Sequence, residues 1–327
     1  MADKLTVAVI SGGTSGERAI SEKGARQVLS ELNPDRYAVR QYDPRTDLSE
    51  LARAAGEIDV ALVILHGING EDGTVQGFLD LLGIPYQCAG VLGSALAMNK
   101  LISKFFYEKA GIRVPGYIGL QKGDPVDVET FAGRLGLPVV VKPASGGSSL
   151  GMGIARSESE LPGAIAAAFD HDDTILLEQY LSGTEITGAV IGNASAEALP
   201  IVEIVPENSH EFFDFEAKYN GRTREICPAR IDEIKTAEAR GLAVSAHRAL
   251  FCSGCSRTDM IISDGGIYVL ETNTIPGMTE NSLLPLAAET AGMTYGDLLD
   301  RLIGLALEKK AADPAADRAG HFSNQNN

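Results

Sequence analysis

Twice in its opening stretch the chain runs a block of consecutive apolar residues into a glycine loop and then into a helix. LTVAVI, from Leu5, is followed by SGGTSGERAISEKGARQVLSEL, and IDVALVILHG is followed by GINGEDGTVQGFLDLLGIPY. A strand that is apolar at nearly every position has no wet face, and helices between such strands supply the crossovers of a parallel sheet. Residues 1–95 are therefore expected to form one α/β unit. Its first glycine turn, SGGTSG, departs from G-x-G-x-x-G and argues against a dinucleotide fingerprint.

The pattern then changes. A helix around MNKLISKFFYEKAGI leads into LPVVVKP and MGIAR, two strand-like runs around ASGGSSLG, which read as a hairpin rather than a phosphate loop entering a helix. TILLEQYLSG reads as a strand ending in a hinge at Gly183, so a second unit is set at 96–182. The third, 183–312, holds EITGAVIG, ALPIVEIVP, a polar loop from Glu207 to Pro228, a helix at 232–251, a hairpin around SDGG and a final helix. The polar tail 313–327 is expected to be disordered.

Charge narrows the partners. A net charge of -16 and a pI near 4.8 repel phosphate backbones and anionic membranes, so no nucleic-acid or membrane partner is expected. Any anionic ligand needs a locally assembled set of cations. MADKLTVAVI reads as a first strand rather than a secretory leader, and no apolar run reaches membrane-spanning length, which points to the cytoplasm. Cys252 and Cys255 form a C-x-x-C without a second pair, a pattern better explained by packing than by zinc or redox chemistry.

In TDMIISDGGIYVLETN, alternation puts Asp259 on one face of one strand and Glu271 and Asn273 on one face of the next. A three-residue loop of Asp264, Gly265 and Gly266 would set Asp259 opposite Glu271. Two carboxylates and an amide then offer oxygen ligands to a hard dication such as magnesium, although a solvated strand face has the same pattern. Asparagine is a poor strand residue unless its oxygen is used. Lys142 ends an apolar strand beside the Gly-Ser hairpin, where an ammonium and backbone N–H groups suit a phosphate. Lys100 and Lys218 are further candidate cations, each of a type usually found on the surface. TILLEQYLSGTE is either an ordinary interdomain strand or an edge whose backbone at Gln179 and Leu181 pairs with a purine, with Glu178 and Glu185 near the ribose. Glu17, at a helix start, and His66, at a strand end, each have a structural and a binding reading.

HGINGEDGTVQG, MNK, KPASGGSSLGM, EQYLSGTE, FDFEAKY, RTD and ETNTIPGMTENSLLP, in that order and spacing, closely resemble the D-alanine:D-alanine ligases, which are ATP-grasp enzymes. The resemblance implies a mixed α/β and α+β chain. Its three-domain ATP-grasp fold would have an N-terminal Rossmann-like parallel sheet, and ATP would lie between the second and third units. It implies that one D-alanine carboxylate takes the γ-phosphoryl group of ATP and that the amine of a second D-alanine attacks the acyl phosphate, for peptidoglycan precursor synthesis.

By position, Asp259, Glu271 and Asn273 would hold two magnesium ions, or manganese in their place. Arg257 and the Gly277 N–H would form the oxyanion hole, Ser282 and Leu283 would bind the second carboxylate, Glu17 the first ammonium, and His66 would lie near a substrate carboxylate. Lys100, Lys142, Ser149 and Lys218 would contact phosphates, Glu178, Gln179, Leu181 and Glu185 would hold adenine and ribose, and Tyr219 would join Ser148 and Glu17 in closing a mobile loop. A homodimer is the family expectation. Three departures stand out: SGG at 145–147 where many relatives carry charged residues, Asn99 where aspartate is frequent, and an SDGG hairpin one residue short. A D-lactate or D-serine acceptor, a catalytically silent nucleotide module and a nicotinamide dehydrogenase are the weaker alternatives.

Overall fold

The computed structural model describes residues 4–146, 151–206 and 223–312. The expectations placed on Ser148, Ser149, Lys218 and Tyr219, on most of the loop from Glu207 and on the tail 313–327 fall outside the described residues.

The opening runs fold as their composition requires. β1 (Leu5–Ile10), α1 (Arg18–Glu31), β2 (Tyr37–Tyr42), α2 (Leu48–Ala54), β3 (Val60–Val63) and α3 (Thr74–Leu82) build a parallel sheet in the order β2-β1-β3. Val7, Ala8, Val9 and Ile10 are fully buried because both faces of β1 are covered. One face packs in a core with the C-terminal helices, and the other with Leu51, Val75 and Leu79 of α2 and α3.

Next come α4 (Val91–Met98), α5 (Lys100–Lys109), β4 (Tyr117–Gln121), α6 (Val128–Leu135), β5 (Val139–Pro143), β6 (Gly153–Ala155), α7 (Leu161–Phe169) and β7 (Thr174–Gln179). The four strands form an antiparallel sheet, β4-β7-β5-β6, and β5 and β6 pair with Val139 opposite Ala155 across the Gly-Ser segment, the expected hairpin. Although α5 precedes this sheet in the chain, Tyr107 packs into the core of the third sheet, and its hydroxyl donates to Thr272 Oγ1 at 2.7 Å. Asn99 caps α5: its side-chain oxygen accepts from the N–H groups of Leu101 and Ile102, both at 3.1 Å. Aspartate and asparagine cap equally well, so that departure keeps the local structure.

The third sheet comprises β8 (Thr184–Gly192), β9 (Glu197–Ala198), β10 (Val202–Pro206), β11 (Thr223–Ile226), β12 (Gly254–Ser263) and β13 (Gly266–Asn273), in the order β11-β10-β8-β12-β13 with β9 beside β8. The helix α8 (Glu233–Ala249) covers one face through Ala239, Ala243 and Ala246. The helices α9 (Leu283–Thr290) and α10 (Tyr295–Ala312) follow, and α10 returns to the first sheet, so residues near both ends of the chain share one core. No helix among the described residues is long and apolar enough to cross a membrane.

Candidate active site

The site is built on the ribbon β12–β13, whose register holds Arg257 opposite Asn273 and Asp259 opposite Glu271. The expected pairing of the two carboxylates is present, but the expected three-residue loop is not. Ser263 pairs with Gly266, leaving a two-residue turn, Asp264 and Gly265, and the missing residue reappears as a bulge in β13, where Met260 pairs with Val269 and Leu270 has no counterpart. Gly266 has φ +119°, a conformation that L side chains rarely adopt, so the tight turn depends on glycine there. The bulge changes the parity of the strand. Ile267 and Val269 point into the core before it, and Thr272 and Thr274 after it, so Glu271 and Asn273 emerge on the face that carries Arg257.

That face lines a cleft of about 730 Å³. Glu17 and His66 enter from the first sheet, Lys100 from α5, and Gly277 and Ser282 from the connection to α9. Arg257 donates from Nε and Nη2 to the two oxygens of Asp259 at 3.0 and 2.9 Å, and the Thr187 hydroxyl donates to the same carboxylate at 2.6 Å. Lys100 Nζ lies 3.3 Å from Glu271 Oε2. Asn273 Oδ1 accepts from the Ile275 N–H at 2.9 Å, which fixes the amide oxygen at the strand end. The acidic side chains thus already collect cations, and two carboxylates plus an amide are hard oxygen donors, a set that fits magnesium. No cluster of three or more His, Cys, Asp or Glu side chains at metal-binding distances occurs among the described residues, so waters or phosphate oxygens would have to complete the coordination.

Gly277 approaches Ser282 closely, since a Cβ at 277 would sit 2.8 Å from the Ser282 hydroxyl oxygen. That hydroxyl accepts from the Thr279 N–H at 2.9 Å, which folds the turn against the first residue of α9, Leu283. His66 is buried, and burial, reinforced by the positive charge of Arg257, lowers its pKa to about 4, so the imidazole is neutral at pH 7. The sequence reading assigned no role to Glu71. Its side chain lines the same cleft and accepts from the Gly67 N–H at 2.6 Å, and burial pushes its pKa up to about 8. It lies in the quoted glycine loop, where the only available signal was a carboxylate within reach of freed backbone N–H groups.

On the other side, β7 is flanked by β4 and β5, so of the two readings left open for this strand the exposed edge is ruled out. The Gln179 N–H already donates to Gly116 O at 2.8 Å, and Leu181 lies beyond the strand end. Glu185 sits within β8, opposite Ile204 and Ile261. Glu178 is 3% exposed, with one oxygen 2.6 Å from Lys142 Nζ and the other in direct contact with Lys104 Nζ. Each of its oxygens is therefore held by a lysine. Burial opposes its charge, but the two ammoniums outweigh burial and hold it below the usual carboxylate range. Burial likewise opposes the charge on Lys142, yet Glu178 and Glu271 raise it above its ordinary value.

Two family models match the chain: the D-ala D-ala ligase N-terminus over residues 40–89 and the D-ala D-ala ligase C-terminus over residues 106–304. The chain belongs to the D-alanine–D-alanine ligase family. It is 54% identical to the D-alanine--D-alanine ligase of Syntrophobacter fumaroxidans over 94% of its own length and 99% of that protein's. It also superposes on the Bacillus anthracis D-alanine--D-alanine ligase complexed with ATP, with TM-score 0.82 and 34% identity, covering 94% of this chain and 99% of that one. The VanG D-Ala:D-Ser ligase from Enterococcus faecalis gives the same TM-score at 30% identity, over 93% and 100% of the two chains.

Within this D-alanine–D-alanine ligase fold the cysteines pack as expected. Cys255 is buried in the core between the first and third sheets, and burial pushes the Cys252 thiol up to about 12, far from a reactive thiolate. Lys104 is the residue that sequence reasoning missed most completely. The spacing Lys100, Ser103, Lys104, Tyr107 defines one side of α5, and a lysine between Ser103 and Tyr107 on that side was the available signal.

Proposed function

We propose that the chain ligates two D-alanine molecules to D-alanyl-D-alanine at the expense of ATP, through a D-alanyl phosphate, releasing ADP and phosphate. The observation that carries this reading is the single cleft into which the β12–β13 ribbon, Lys100, Glu17, His66 and the Gly277–Ser282 turn all project. Carboxylate activation needs cations for phosphate, an anion for an ammonium and donors for a developing oxyanion, and these groups supply all three.

In this reading Glu17 holds the ammonium of the first D-alanine. The guanidinium of Arg257 and the Gly277 N–H donate to the oxygen that becomes negative as the second amine attacks, which requires Arg257 to share itself between that oxygen and Asp259. The Ser282 hydroxyl and the N–H groups opening α9 receive the second carboxylate, where a helix N-terminus favours an anion. A neutral His66 can exchange a hydrogen bond beside a substrate carboxylate without adding positive charge. Lys100 and Lys142 take phosphate oxygens, and Gln179, Leu181 and Glu185 border the adenosine. Lys218, Ser149, Ser148 and Tyr219 complete the phosphate contacts and the closing loop in the same reading. Asp259, Glu271 and Asn273 would hold two magnesium ions, or manganese, which neutralise charge on the transferred phosphoryl group. The reading also includes a cytoplasmic homodimer serving peptidoglycan precursor synthesis.

The test is product identification by mass spectrometry after incubation with ATP, magnesium and a mixture of D-alanine, D-serine and D-lactate. D-alanyl-D-alanine with stoichiometric ADP is expected. A mixed D-Ala-D-Ser product, a depsipeptide, or no ADP release with D-alanine alone would overturn it.

A further inference from the structure

Behind Lys142 lies a buried lysine that the reaction described so far does not use. Lys104, on α5, is fully buried, and its ammonium meets Glu178 Oε1. Lys142, on β5, meets Glu178 Oε2 at 2.6 Å, and its side chain is 12% exposed. One carboxylate therefore serves two ammoniums, each on its own oxygen, and the further carboxylate that acts on both lysines, Glu271, already lies 3.3 Å from Lys100, so the trio keeps one surplus positive charge. A buried ammonium is costly unless a counter-charge offsets it, and Glu178 would be fully balanced by Lys142 alone. The second lysine needs another explanation.

The consequence follows from charge balance. Paired only with Glu178, Lys142 would present a neutral ion pair towards the nucleotide side, in a chain whose net charge of -16 already disfavours polyphosphates. With Lys104 balancing Glu178 from behind, the surplus charge is left at Lys142, the more exposed of the two lysines. Lys104 also lies 5.8 Å from the ring centre of Tyr117, whose hydroxyl donates to Glu108 at 2.9 Å, so the rear of the trio is held by β4 and α5 together.

We propose that Lys104 is a positioning residue for nucleotide binding: it neutralises Glu178 from the interior, so that Lys142 offers an uncancelled positive charge to the phosphates of ATP. This rests on the reading of Lys142 as a phosphate ligand. Lys104 itself touches no substrate, and its effect passes entirely through Glu178.

Four proteins test it: the wild type, Lys142→Met, Lys104→Met and the double variant Lys104→Met/Glu178→Gln. The KM for ATP and kcat are measured by ADP release with saturating D-alanine and magnesium, and folding is monitored by thermal unfolding. Lys104→Met should raise the KM for ATP by about tenfold, equivalent to about 1.4 kcal/mol, with a smaller change in kcat. The double variant, in which Lys142 is no longer cancelled, should recover most of that loss. A merely structural Lys104 would give no such recovery. A folded Lys104→Met with the wild-type KM for ATP, or a folded double variant binding ATP no better than the single, overturns the role of Lys104. An unchanged KM for ATP in Lys142→Met overturns the phosphate reading beneath it, and the proposal with it. Should Lys104→Met fail to fold, the double variant decides, since it removes the buried carboxylate charge together with the lysine: near wild-type ATP affinity supports the proposal, and a tenfold loss overturns it.

Discussion

On the ribbon β12–β13, Arg257 is matched to Asp259 and Lys100 to Glu271, and Glu271 keeps 31% of its side chain exposed to the cleft. In the second sheet, Glu178 faces two lysines, and the trio is buried and unbalanced. The difference separates two uses of charge. The Lys100–Glu271 pair can exchange partners when a phosphate arrives, at modest cost because water still reaches Glu271, whereas Arg257–Asp259, at 13% and 7% exposed, is matched but sequestered. A buried surplus cannot relax in this way, so it acts as a fixed field and its removal is felt first in stability.

The comparison can be broken at its chemically sensitive end by Glu271→Gln, which keeps volume and removes the charge. Ligation should fall by about 10³-fold in kcat, corresponding to about 4 kcal/mol, while the unfolding midpoint stays close to the wild type. Near-normal turnover would remove the ribbon from the chemistry. The opposite end is sharpened by Glu178→Leu, which leaves two buried ammoniums unpaired. Urea unfolding should show a loss of about 3–5 kcal/mol, and a loss below about 1 kcal/mol would mean that the trio is solvated and the contrast is false.

The smallest effect concerns groups buried without a counter-charge. Burial, with a smaller contribution from Arg248, lowers the pKa of His247 from 6.5 to about 4, and its Nδ1 lies 2.7 Å from the Ser256 hydroxyl. Between those pH values the unfolded chain takes up a proton that the folded chain refuses, so stability falls as the pH drops from 6.5 towards 4. The expected loss is up to about 3 kcal/mol from this group, and His247→Gln should flatten the dependence by that share in unfolding curves at pH 7 and pH 4.5. An identical slope in both proteins would show that His247 titrates normally.

Much of the ribbon was legible because its signals are local. Alternation put Glu271 and Asn273 on one face, and the Asp-Gly-Gly turn made β12 and β13 neighbours. The pairing of Asp259 with Glu271 was anticipated through the wrong device, because a longer turn and a two-residue turn with a bulge at Leu270 give the same pair and differ only beyond it. The strand that carries Glu178 was legible only as either an edge or an ordinary interdomain strand. Whether β7 is an edge depends on β4, which lies more than fifty residues earlier in the chain.

What the sequence determined by itself was the set of elements and the chemistry each could carry: the doubly buried strands of the first sheet, the hairpins, and oxygen donors and cations in a family-specific order. These follow from periodicity and turn chemistry, which act between near neighbours in the chain. Only the tertiary structure decided that α5 turns Lys104 inward onto Glu178, that β7 lies inside its sheet, and that one bulge sets which face of β13 reaches the cleft. Burial and charge balance depend on what lies across the core, and no local stretch of residues contains that information.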